Sequence, residues 1–146
     1  MQQATDDKYV LELELDSDIQ QLMALAEAVE QFAERHAWPM PLTYAFNLSL
    51  EEWVTNIIAY GYKEEKGHSI RVILRQAEAS AEAEVIDDSE PFSPLTDVQL
   101  PDLSADVSER RMGGLGIHLM RQMMDELHYW KKGTTNHLRI VKNLEE

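Results

Sequence analysis

The sequence contains no cysteine, which excludes a disulfide framework and thiolate chemistry and suits a cytosolic protein. Basic residues are scarce: 13 Lys and Arg stand against 27 Asp and Glu, a formal net charge of -14. Phosphate backbones would be repelled and no basic stripe is present, so a nucleic-acid binder is disfavoured. A partner with a basic or mixed surface fits this charge better. No apolar run reaches the ~18 residues that a membrane-spanning helix needs. The first residues, Met1 to Asp7, lack the basic and apolar regions of a secretory signal. Glycine is sparse too, and three of the six glycines sit together at 113, 114 and 116. Three of the five prolines, Pro91, Pro94 and Pro101, fall within residues 88–112.

What remains is an ordinary globular composition, 44% hydrophobic over 146 residues, enough for one domain spanning 1–146. Tyr9, Leu11, Leu13 and Leu15 alternate with Glu12 and Glu14, which predicts a half-buried strand over 9–15. Ser17 and Gln20 have the spacing of a capping box. Ile19, Leu22, Met23, Ala26, Val29 and Ala33 then continue at helical intervals to about His36. Pro41 is placed to start a second helix that runs to about Tyr60. Residues 69–76 and 81–87 read as a hairpin. Residues 88–112, proline-rich and polar, read as a long connection of the kind that forms lids. A helix from about Gly114 to Leu127 and strands near 127–132 and 136–142 complete the chain. The order β-α-α-β-β-loop-α-β-β implies an α+β two-layer sandwich. Its sheet is mixed but mainly antiparallel, with helices on one face.

Three motifs carry chemistry. Glu52 and Asn56 lie four residues apart, so they share one helix face. A carboxylate and an amide oxygen there can share a magnesium ion and orient a nucleophile. Alone, the pair is better explained by a solvated Glu52 and an Asn56 bonded to nearby backbone. Asp87 ends an apolar strand, where a carboxylate can accept the exocyclic amino proton of adenine; Asp-Asp-Ser is also good turn chemistry. Gly113, Gly114 and Gly116 open a helix whose free N–H groups favour phosphate, or they form a hinge packed under a neighbour. The Gly133-Thr134-Thr135 stretch offers a hydroxyl or simply a β-turn. Arg110-Arg111 could reach a phosphate or lie in a solvated patch. The histidines show no metal-binding spacing. There is no G-x-S-x-G elbow, no Walker A sequence, and no βαβ context for a dinucleotide fingerprint.

In order, these segments resemble the Bergerat-fold (GHKL) ATPases, the superfamily of gyrase and the histidine kinases. Within it they look most like the small serine-protein kinases that act as bacterial anti-sigma factors. Glu52 to Tyr62 is similar to the family's N-box helix, Val85 to Phe92 to its adenine motif, and Gly113 to Met120 to its second glycine box. Met124-Asp125-Glu126 continues that box, and Gly133-Thr134-Thr135 sits at the late threonine turn. The resemblance implies that Glu52 is the general base toward a partner's serine and that Asn56 holds Mg²⁺ on ATP. It implies that Asp87 binds the adenine amino group, that Gly113, Gly114 and Gly116 admit phosphate, and that Thr135 supports the nucleotide. The implied cofactors are ATP and Mg²⁺, and the implied partners a sigma factor and an anti-anti-sigma (STAS) protein. Members often dimerise, which an acidic chain permits only through a mainly apolar interface. Two positions depart from the pattern. Ser89 stands where the family has the glycine of D-x-G, and Tyr60 where many relatives have histidine. The Ser89 departure supports a second reading, a non-catalytic module that binds nucleotide or a partner, sequestering a sigma factor or regulating a phosphatase.

Overall fold

The computed structural model describes residues 9–89 and 114–144. Among them the order is β1 (Val10–Asp16), a 3-10 turn (Ile19–Gln21), α1 (Leu22–Arg35), α2 (Met40–Asn56), a π turn (Ile57–Gly61), β2 (Ser69–Gln76), β3 (Ser80–Asp87), α3 (Gly114–Met123), β4 (Glu126–Lys132) and β5 (Thr135–Asn143). This is the α+β arrangement expected, with one refinement: all four strand pairings are antiparallel, in the order β1-β2-β3-β5-β4.

Register places two apolar rows across the sheet. Leu13, Val72, Val85, Leu138 and Tyr129 form one, and Leu11, Leu74, Ala83, Ile140 and Leu127 the next. Strand period 2 turns both rows to one face, and the three helices cover it. α1 contributes Leu25, Val29 and Phe32, spaced for a single apolar stripe. α2 lies between α1 and α3 and therefore buries more of its circumference, including Phe46, Leu50, Trp53 and Val54. Ile117 and Met120 of α3 close the same core.

The opposite face of the sheet is a lattice of charge. Glu12 pairs with Arg71, and Arg75 bridges Glu82 at 2.8 Å and Glu84 at 3.1 Å. Arg139 also holds Glu82, at 2.9 Å. Partial burial opposes ionisation of Glu82, but the hydrogen bonds from Arg139 and Arg75 outweigh it and hold the carboxyl below its ordinary range. Such partly exposed pairs add little stability each, but they keep this face polar.

Two sequence expectations fail locally. Ser17 does not cap the first helix. Asp18 caps the 3-10 turn that leads into it, accepting from the Gln20 N–H at 3.1 Å, and α1 itself has no side-chain cap. The Ser17 hydroxyl instead donates to the Glu65 carbonyl at 2.6 Å and accepts from His68 N at 3.1 Å, pinning the loop after α2 to the end of β1. The third helix stops at Met123 rather than Leu127, because Asp125 N–H bonds the Val141 carbonyl at 2.9 Å and the chain enters β4. The expected lid lies, except for its first two residues, outside the described residues.

Candidate functional site

α2 presents Glu52 and Asn56 one turn apart near its C-terminal end, on the side facing α3. Asn56 is 4% exposed, and its Nδ2 donates to the Glu52 carbonyl at 2.7 Å. That bond fixes the amide and leaves Oδ1 without a hydrogen bond among the described residues. The Glu52 carboxylate lies against α3 at Gly116. A Cβ built on Gly116 would stand 1.9 Å from Glu52 Oε1 and 2.3 Å from its Cδ. Only glycine leaves the carboxylate where it is. Burial, and secondarily the neighbouring Glu51, raise the Glu52 pKa above the ordinary carboxylate value. A raised carboxylate is a better proton acceptor.

The second half of the site is the end of β3. Asp87 points inward beyond the apolar rows and is 4% exposed. Its Oδ2 accepts from Ser89 N at 2.9 Å, Ser89 Oγ at 2.5 Å and Asn136 Nδ2 at 3.1 Å. Among the described residues Oδ1 receives none. Asn136 faces Asp87 directly across the β3–β5 pair and also donates to the Ser89 carbonyl at 2.8 Å.

A tyrosine joins the halves. After Asn56 the helix widens into i to i+5 bonding, with Tyr62 N–H on the Ile57 carbonyl at 2.8 Å. Such π turns recur at functional sites. This one carries the buried Tyr62 to the end of β3, where its hydroxyl donates to Asp88 Oδ1 at 2.5 Å and accepts from Asp88 N at 3.0 Å. Burial first, then the Asp88 carboxylate, push the Tyr62 phenol well above its ordinary pKa. Tyr62 also stacks on His68, 4.2 Å between centroids and 7° between planes.

Residues 15–142 match the histidine kinase-like ATPase domain family. The chain belongs to that family. It is 26% identical over 115 residues to the serine/threonine-protein kinase BtrW of Bordetella bronchiseptica, covering 79% of this chain and 80% of that one. In fold it is similar to the Acinetobacter baumannii histidine kinase AdeS, with a TM-score of 0.52 at 11% identity, over 92% of this chain and 68% of that one.

As a histidine kinase-like ATPase domain, the chain has an architecture for ATP. The structure brings together Glu52, Asn56 and Gly116, and Tyr62 links their helix to the strand end that bears Asp87. Gly114 opens α3; Gly113 lies outside the described residues, as do Arg110 and Arg111. Thr135 is not brought to the site. Its hydroxyl donates to the Lys132 carbonyl at 2.8 Å and meets His137 Nε2 at 3.0 Å, which closes the β4–β5 turn at the positive φ of Gly133, 63°. Strand alternation turns Thr135 away from Asp87 and turns Asn136 toward it.

Asn136 and Tyr62 were not singled out as site residues from the sequence. Asn136 had a signal: it shares the period-2 row of Leu138 and Ile140, so a polar residue was due to be buried there. Among the described residues no three His, Cys, Asp or Glu are grouped to hold a metal. A magnesium ion carried on a nucleotide needs no such cage, since it keeps several waters and takes few protein oxygens; the spare Asn56 Oδ1 suits it. Two concavities, about 740 and 760 Å³, lie around Trp38 and Tyr44. Neither is lined by Glu52, Asn56, Asp87 or Gly116. No described helix is long and apolar enough to cross a membrane.

Proposed function

We propose that this protein is an ATP-dependent protein-serine kinase of the anti-sigma type. It acts in the cytoplasm, binds a sigma factor, and phosphorylates an anti-anti-sigma (STAS) partner. The observation that carries the reading is the packing of Glu52 on Gly116, one helical turn from an amide oxygen that no described residue hydrogen-bonds. The likeness to a protein named as a serine/threonine kinase supports it.

Asp87 Oδ1 would accept a hydrogen bond from the adenine amino group. Gly114 and Gly116 would let α3 N–H groups approach the phosphates, and Asn56 Oδ1 would hold Mg²⁺. Bound there, the ion would neutralise charge on the phosphates. The partner's seryl oxygen attacks the terminal phosphorus, the bond to the ADP oxygen breaks, and the seryl proton passes to Glu52. Phosphoryl transfer is chiefly positioning and charge stabilisation, so no nucleophile of the kinase's own is required. Ser89 adds a donor to Asp87 Oδ2.

Calorimetry of the parent, Asp87→Asn and Asn56→Ala with Mg-ATP and Mg-ADP tests the site. Binding that both variants lose is expected. Undiminished affinity in Asn56→Ala would remove Asn56 from the metal role, and undiminished affinity in Asp87→Asn would remove Asp87 from the base. Transfer to a cognate STAS partner that survives Glu52→Ala would end the general-base reading.

A further inference from the structure

One group at the inner end of the sheet is left unsatisfied. Asn136 is 1% exposed, and its Oδ1 is buried without a hydrogen-bond partner among the described residues. An unpaired buried polar atom costs roughly 1–3 kcal/mol, so it calls for an explanation. The amide cannot turn round to satisfy it. Both groups that Asn136 touches through Nδ2, the Asp87 carboxylate and the Ser89 carbonyl, are acceptors. The NH₂ must face them, and Oδ1 is therefore fixed as an unused acceptor beside Asp87.

The same contacts make the two Asp87 oxygens unequal. Three donors, Ser89 N, Ser89 Oγ and Asn136 Nδ2, converge on Oδ2, and none among the described residues reaches Oδ1. Two of the three come from Ser89, two residues on, and hold the carboxylate to its own strand end. Asn136 sits on a different strand, so its bond ties the carboxylate across to β5 as well.

Resting on the nucleotide reading above, we propose that Asn136 is a positioning residue that sets purine selectivity. It locks the Asp87 carboxylate with Oδ1 toward the base, and its own buried, unpaired Oδ1 is the cost of turning the NH₂ to Asp87. A fixed acceptor welcomes a 6-amino group and repels a 6-oxo group. A carboxylate released from β5 keeps only the Ser89 bonds, so it can tilt further from a 6-oxo group, and the penalty against it then shrinks. Discrimination comes from the rigidity of the repulsive element as much as from the attractive contact.

The test is calorimetry of Mg-ATP and Mg-ITP, which differ at the 6-position, on the parent, Asn136→Leu and Asn136→Ser. Asn136→Leu removes the tether at similar volume, and Asn136→Ser retains a shorter hydroxyl donor. The parent should prefer ATP. Asn136→Leu should bind ATP roughly tenfold or more weakly, as expected on losing a hydrogen bond to a charged group, and its ATP-to-ITP ratio should collapse. Asn136→Ser should fall between. A residue that merely ties β5 to β3 would weaken both nucleotides equally, so an unchanged ratio in the variants overturns the proposal. Should Asn136→Leu fail to fold, the ratio in Asn136→Ser decides alone. A parent that binds both nucleotides equally well overturns the selectivity claim only. A parent that binds neither overturns the nucleotide reading, and this inference with it.

Discussion

Replacing Gly116 by alanine should impair chemistry while sparing the fold. The added Cβ would stand 1.9 Å from Glu52 Oε1 and 2.6 Å from its Cγ. Non-bonded heavy atoms prefer about 3.5 Å, so the carboxylate must retreat by roughly 1.5 Å. The three nearest atoms all belong to one flexible side chain, and a new rotamer relieves the clash without moving backbone. An off-rotamer adjustment costs on the order of 1 kcal/mol. Alanine in place of glycine inside a helix returns about the same. The melting temperature should therefore shift by no more than a few degrees. Displacement of a reacting group by about 1 Å can cost ~100-fold in rate, and phosphate transfer should fall by that order. A direct readout needs no partner: the ¹³C shift of the Glu52 carboxyl, followed through a pH titration. In the parent its pKa is raised by burial; in Gly116→Ala the carboxyl moves toward water and titrates lower. An unchanged Glu52 titration, or a variant that unfolds, would refute the reasoning, because the packing on Gly116 would then be either absent or borne by the backbone.

The pH dependence of stability follows from the same carboxyl. Its folded-state pKa lies above the unfolded value of 4.5, so folding is favoured by protonation, and that contribution is lost as pH rises through the folded value. Glu52→Gln should accordingly be more stable than the parent in urea at neutral pH, the difference vanishing near pH 4; a constant difference would contradict the burial of the charge. Tyr62→Phe removes the hydrogen bonds to Asp88 and should lower the unfolding free energy by about 1–2 kcal/mol. It should also loosen nucleotide binding. In a spectrophotometric titration of the parent, Tyr62 should ionise after the more exposed tyrosines, and ionisation together with them would show that the contact to Asp88 does not persist.

Much of the architecture was legible because period and composition are local properties. The β1 alternation, the α1 stripe and the two hairpins needed only neighbours along the chain. The boundaries that failed depended on distant groups. Ser17 has good capping chemistry, yet its hydroxyl is claimed by Glu65 and His68, some fifty residues away. The third helix could have run on through Asp125 by pattern, but Val141 recruits that residue into the sheet. Thr135 and Asn136 are adjacent in a turn that suggested a hydroxyl for the nucleotide. Which of the two faces Asp87 is decided by register, and a shift of one residue would have exchanged them.

By itself the sequence determined the residue types of the site and their spacing: a carboxylate and an amide one helical turn apart, an acid at a strand end, and glycine where a helix must be approached closely. Those follow from local geometry that any α+β packing would respect. Only the tertiary structure decided that Glu52 rests on Gly116, that Tyr62 bridges α2 to Asp88, and that Asn136 rather than Thr135 anchors Asp87. Each of these joins groups far apart in the chain, and their approach is set by sheet register and helix packing, which no local pattern encodes.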